Sequence, residues 1–237
     1  MKKKSLNVKK TTPSHILGNF KNKKISKIYS KFEEIINSNT SKPQKLAVAL
    51  SGGPDSLALA YLAKCYSIKK KIKISFFIVD HKLRADSSRE AKKVGKLLKN
   101  FKIDCQILEW KTKKPKSNIQ SIARKNRYNL IVNACKKKNI KYLLLGHHID
   151  DLYENFFIRI CRGSGLKGLV SFGQKTQKQK INIIRPILKF EKKHLNYVTN
   201  KVFKFYIKDP SNQDDKFKRV RIRKLIKSLE NDGLDKN

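Results

Sequence analysis

An α/β fold is predicted for this chain: a doubly wound, mostly parallel sheet with helices on both faces and a small helical extension at the C-terminus. Three observations predict it. Short apolar runs at Leu46–Leu50, Ile74–Val79 and Tyr142–Leu145 have the length and composition of strands buried on both faces. Between them lie longer segments whose apolar residues recur at helical spacing, so strand and helix alternate. Each run then ends in a polar string: SGGPDS at 51–56, DHKLR at 80–84 and HHIDD at 147–151. Open parallel sheets bind ligands at the carboxyl ends of their strands, so one crevice can collect all three strings.

In chain order, residues 1–24 are polar and basic, with no apolar periodicity, and are expected to form a flexible tail. Ile25, Ile28, Phe32, Ile35 and Ile36 then recur at helical spacing until the Asn37–Pro43 segment ends that helix. After the first strand and the break at 51–54, an apolar helix resumes from Leu57. The second strand is followed by a helical segment around Ala91–Leu98, a strand at Asp104–Trp110 and a charged loop at 111–118. Residues 119–138 have helical periodicity through Ile122, Tyr128, Ile131 and Cys135, and a helix is expected to begin near His148. The chain thus divides into a basic tail over 1–24, one main domain over 25–223, and a C-terminal helix and tail over 224–237.

Composition narrows the partners. The 237 residues carry 57 Lys plus Arg against 18 Asp plus Glu, a net charge of +39, which calls for a polyanion and favours nucleic acid over membrane because no long apolar segment is present. Lysine far outnumbers the ten arginines, and most of those arginines fall inside the strings discussed here, where a planar bidentate guanidinium is useful. Cys65, Cys105, Cys135 and Cys161 are too widely spaced for a zinc knuckle or a redox pair and read as thiols in a reducing cytoplasm. The N-terminus lacks the apolar core of a signal peptide, so cytoplasmic localisation is expected.

The most informative stretch is LAVALSGGPDSLALA, a strand, a tight turn and a helix. Gly52 and Gly53 let backbone N–H groups converge at a helix N-terminus, where an anion is favoured. The loop is not a Walker A loop, because no lysine lies between Lys45 and Lys64. Its one charge is Asp55. A carboxylate beside phosphate oxygens is repulsive unless a cation lies between them, which suggests Mg2+. The structural alternative is a Gly-Pro turn with Ser51 or Asp55 capping the helix.

The other candidates each have a structural alternative. Asp80 and His81 end the second strand, where an acid can meet a ribose, or simply form a turn. Asp150, Asp151 and Glu154 fall on adjacent turns of one helix, suited to Mg2+ or a cationic substrate, with His147 or His148 as a proton relay. As plain helix chemistry, the same acids complement the positive N-terminus. Arg124 and Arg127 lie one turn apart and suit a phosphate clamp. Arg162 precedes GSGLKGL, in which Gly163 can be the helix cap. Arg185 precedes Pro186 and is therefore extended. Arg219, Arg221 and Arg223 alternate after DPSN at 209–212, as a grip on an RNA backbone or as a solvated helix start.

SGGPDS resembles the pyrophosphatase-type PP-loop, SGGxDS. Together with VDHKLR, ARKNRY, LLLGHHIDDLYEN, RGSGLKGL, IIRPIL and DPSNQDDKFKRVRIR, in this order from about Leu46 to Arg223, it strongly resembles the tRNA(Ile)-lysidine synthases. The chain departs from the family at 152, 153 and 155, where Leu, Tyr and Asn replace the usual neighbours of the acids, and it stops soon after RIRKLIKSLE. The resemblance implies a Rossmann-like PP-loop fold and an ATP-dependent ligase. The enzyme would join free L-lysine to the first anticodon cytidine of tRNA(Ile) with a CAU anticodon, through an adenylated base. It implies that Ser51, Gly52, Gly53, Pro54, Asp55 and Ser56, with Asp80, His81, Arg124 and Arg127, bind ATP. Asp55 and Asp151 would hold Mg2+, and Asp55, His147, Asp150, Asp151 and Glu154 would be catalytic. Glu154, Arg162, Arg185, Arg219, Arg221 and Arg223 would contact lysine or tRNA. A homodimer is compatible with the sequence, and no membrane partner is expected. A tRNA thiolase of the same superfamily is the nearest alternative, although its paired cysteines are lacking; a catalytically inert RNA-binding protein is another.

Overall fold

The computed structural model describes residues 13–111, 117–165, 169, 173–207 and 214–234. The basic segment 1–12, most of GLKGL and DPSN at 209–212 lie outside the described residues.

Six strands form one sheet in the order β3-β2-β1-β4-β6-β5. They are β1 (Lys45–Leu50), β2 (Lys73–Asp80), β3 (Cys105–Glu109), β4 (Tyr142–Leu144), β5 (Lys175–Lys178) and β6 (Ile181–Ile184). All neighbours are parallel except β5 and β6, which form an antiparallel edge hairpin. The chain winds outward from β1 through β2 to β3, then crosses to the other side of β1 for β4. That reversal opens a crevice between the carboxyl ends of β1 and β4.

The alternation within β1 and β2 builds two cores. Leu46, Val48, Leu50, Phe76 and Ile78 face one layer, with helices α2 (Lys23–Asn39), α3 (Pro54–Lys70), α4 (Ser87–Asn100) and α7 (Lys192–Val202). Ala47, Phe77 and Val79 face the other, against Ile131, Val132, Ala134 and Cys135 of α5 (Ile119–Lys137). This is the doubly wound arrangement expected from continuous apolar strands. A third, smaller cluster joins Ile158 of α6 (Ile149–Ile160) to Ile222 and Ile226 of α8 (Lys218–Asn231). No helix among the described residues is long and apolar enough to cross a membrane.

The ends of the chain differ from expectation. Residues 13–24 do not belong to a loose tail: α1 (Pro13–Gly18) and a 3-10 turn (Asn19–Lys21) precede α2. Ile16 is fully buried, and its carbonyl accepts a hydrogen bond from the Tyr61 hydroxyl at 2.9 Å. Asn22 then caps α2, accepting from the N–H groups of Lys24 and Ile25. At the other end α8 begins at Lys218, so a domain boundary between 223 and 224 would cut through a single helix.

Candidate active site

The loop after β1 is closed by its own hydroxyls. Ser56 Oγ donates to the Gly53 carbonyl at 2.9 Å and accepts from the Ser51 N–H at 3.2 Å. Gly52 has φ +83, and a Cβ there would lie 2.8 Å from Val94 Cγ2, so only glycine fits both the turn and the space. Gly53 is the N-cap of α3 and offers no side-chain cap; Pro54 occupies the first turn, where its missing N–H costs nothing. The start of α3 is left open to an anion. Gly146, two residues beyond β4, packs directly on Ser56 Cα.

A cleft of about 200 Å3 lies at this crossover. Its lining is part apolar, with Ala49, Leu50, Ile131 and Leu145, and part polar, with Ser51, Asp55, Ser56, Arg127, His147 and Asp151. It opens into a long groove that reaches His81, Arg124, Asp150, Glu154, Arg162, Arg219 and Arg223. Strand order and helix direction therefore bring together residues from all three strand-end strings and from ARKNRY.

Two helix N-termini meet across the cleft through His148. Its Nε2 lies 3.5 Å from Asp55 Oδ2 on α3 and 3.7 Å from Asp151 Oδ2 on α6, and its Nδ1 lies 3.6 Å from Asp150 Oδ2. Burial alone would lower its pKa, but the hydrogen bond to Asp55 and the charges of Asp151, Asp55 and Asp150 outweigh burial and hold it above the ordinary value. Asp151 also accepts from the His148 N–H at 3.0 Å, which fixes the start of α6.

The donor set suits a divalent cation only in part. Asp55 Oδ1 is buried with no hydrogen-bond partner among the described residues, and Asp55 Oδ2 and Asp151 Oδ2 both approach His148 Nε2, at 3.5 and 3.7 Å. Among the described residues, no group of three or more His, Cys, Asp or Glu has the geometry to hold a metal. Two carboxylates completed by phosphate oxygens and water is the usual Mg2+ arrangement, so the residues fit an ion that arrives with phosphate.

Several predicted residues have other work. Asp80, 4% exposed, accepts from the Lys82 N–H and the Ser87 and Ser88 hydroxyls. Burial would raise its pKa, but these bonds hold it below the usual value. It pins the loop after β2, in place of the expected ribose contact. His81 lines the groove with its ring edge-on to Trp110, and burial with the charge of Arg127 pushes its pKa down to about 4. His147 is pushed down to about 3 by burial and the arginines around it. An imidazole so hard to protonate is a weak base.

Glu154 is buried and held by two arginines of α8: Arg219 Nε at 3.0 Å and Arg223 Nε at 2.7 Å, one on each oxygen. It is a tie between α6 and α8 where a cation ligand was expected. Arg221 faces away and donates to the carbonyls of Asp215 and Lys216. Arg185, expected to contact lysine or tRNA, is buried, donates to the Gly173 carbonyl and Thr176 Oγ1, and so braces the β5 edge. Gly163, φ +68, donates to the Ile160 carbonyl and ends α6, leaving Arg162 exposed. Arg124 lies over the Tyr128 ring, and Arg127 is half-buried in the cleft wall.

Sequence reasoning missed Tyr128 as a wall of the cleft, although its position one residue after Arg127 placed it there. It also missed Thr199, which reaches the loop from α7, because nothing local marks it.

Comparison with known proteins accords with this geometry. The chain is 43% identical over 186 residues to a tRNA(Ile)-lysidine synthase of Orientia tsutsugamushi, a match covering 78% of this chain and 42% of that protein. It is 38% identical to the one of Wolbachia pipientis wMel, covering 86% of this chain and 48% of that protein. The chain thus spans about half the length of these curated relatives. Among solved structures, the U34-tRNA thiolase NcsA of Methanococcus maripaludis superposes with a TM-score of 0.75 at 20% identity, covering 90% of this chain and 74% of that one, a likeness of fold. The PP-loop domain model, ATP_bind_3, matches residues 23–229, and the chain belongs to that family.

Proposed function

We propose that this chain is the catalytic part of a tRNA(Ile)-lysidine synthase, joining free L-lysine to the first anticodon cytidine of a CAU-bearing tRNA(Ile) at the expense of ATP. The observation that carries the reading is the convergence of the uncapped loop of α3 with the acids of α6 on one cleft, in a chain 43% identical to a protein of that name.

The apolar side chains lining the cleft, with Tyr128, suit an adenine ring, and the loop from Ser51 to Ser56 suits the phosphates. The C2 oxygen of the cytidine forms a bond to the α-phosphorus while the bond to the pyrophosphate oxygen breaks. Arg127 lies in the wall where charge develops on that phosphoryl group. Asp55 and Asp151 would hold Mg2+, which would offset the negative charge of the phosphates. The lysine ε-amine then bonds to C2 as the C2–oxygen bond breaks, and AMP leaves with that oxygen. The amine must first lose a proton. Asp150, which lines the groove 3.6 Å from His148, would take that proton.

The test is the identity of the nucleotide product. The reading predicts AMP and pyrophosphate, formed only when RNA is present. ADP and phosphate would contradict it.

A further inference from the structure

A phosphate cradle needs its backbone N–H groups facing the ligand and its carbonyls turned away, because a free carbonyl oxygen at the cradle would repel the anion. In this loop three consecutive carbonyls are each taken. The Gly52 carbonyl accepts from the Ile207 N–H at 2.9 Å, and the Gly53 carbonyl accepts from Ser56 Oγ and the Leu57 N–H. The Pro54 carbonyl accepts from Thr199 Oγ1 at 2.7 Å.

Two of these four donors come from one distant unit, α7 and the strap that follows it. Thr199 is fully buried on α7 and serves the strap as well, its carbonyl accepting from the Phe203 N–H at 2.8 Å. The strap is held at two points: Phe203 stacks edge-on to Phe101, just after α4, and Lys93 lies over the Phe205 ring. Ile207 then packs against Gly52.

We propose that Thr199 is a positioning residue for the anion site: its hydroxyl holds the Pro54 carbonyl, and with the Ile207 N–H fixes which way the loop's peptide groups face. The inference rests on the phosphate-binding reading of the loop, and its ligand class is a di- or triphosphate.

Inorganic pyrophosphate binding to the full chain, measured by calorimetry, tests it. T199V keeps the volume and removes the hydroxyl, and losing one such hydrogen bond should weaken pyrophosphate binding by about tenfold. T199S restores the donor and should return affinity to within about twofold of the unaltered protein. Binding of tRNA, which draws on the whole basic surface, should stay unchanged in both, a separation that a general loss of packing would not give. T199A, which also lacks the hydroxyl, serves if T199V does not fold. Equal pyrophosphate affinity in T199V and the unaltered protein overturns the positioning role alone. Failure of the unaltered protein to bind pyrophosphate overturns the anion reading and the positioning role together.

Discussion

Arg223 Nε lies 2.7 Å from Glu154 Oε2, joining the last helix of the chain to the helix that carries the acids of the cleft. Arg219, one helical turn earlier, takes the other oxygen, so a single buried carboxylate holds α8 against α6. Both guanidinium groups stay about half exposed at the groove, which makes the tie part of the groove wall.

Glu154→Gln keeps the shape and removes the charge, leaving two arginines side by side. The expected cost is about 1–3 kcal/mol, less than for a fully buried pair because the arginines are partly solvated. Chemical denaturation measures it. The loss should appear without lysine or ATP, since the bond exists in the free protein.

Asp55→Asn should abolish turnover. It removes both the orphaned Oδ1 acceptor charge and the partner that raises His148. Affinity for tRNA should stay near that of the unaltered protein, because Asp55 lies inside the cleft and not on the basic surface. Filter binding beside single-turnover ATP cleavage separates the two effects.

Gly52→Ala places a methyl group 2.8 Å from Val94 Cγ2 on a residue with φ +83. About 1–3 kcal/mol of strain is expected, with loss of pyrophosphate binding. Thermal unfolding and calorimetry on the same sample read both.

Acid should destabilise the fold through His81 and His147, whose folded-state pKa values are pushed down to about 4 and about 3. The unfolded chain takes up these protons near about pH 6.5 and the folded chain does not. Stability therefore falls as pH drops through that window, by at most about 1.4 kcal/mol per pH unit for each histidine. His148 works in the opposite sense, its raised pKa giving stability that is lost as pH rises. Denaturation at several pH values should show a shallower acid loss in H81N than in the unaltered protein.

With a net charge of +39, tRNA affinity should fall steeply with salt. For six to ten phosphate contacts the loss is roughly 10³- to 10⁵-fold between about 50 and 200 mM salt. A flat response would contradict a phosphate-led interface.

The strands and helices of the sheet's centre were legible because their periodicity is local: β1, β2 and α5 carry unbroken patterns. The β5–β6 hairpin was not. β5 is KTQK, a polar edge strand, and its turn places Gln179 and Lys180 at positive φ without the usual Asn-Gly signal. The short helix at 13–18 was hidden by the lysines around it, since one buried residue, Ile16, makes no period. In the site, the strings themselves placed Ser51–Ser56, Asp55 and Asp151 at one cleft. Their partners were not visible, because Glu154 and Arg223 are 69 residues apart and Thr199 and Pro54 are 145 apart. One clue did exist. Arg219 and Arg223 are four residues apart, which puts them on one helix face and sets Arg221 away from it.

The central claim is best tested by incubating the chain with labelled lysine, ATP and Mg2+, and with either tRNA(Ile) bearing CAU or a methionine tRNA with the same anticodon. The account predicts stable incorporation of lysine into the isoleucine tRNA alone. RNA-dependent release of AMP and pyrophosphate with no lysine incorporated would contradict it, retaining the phosphate loop but requiring a different acceptor or nucleophile.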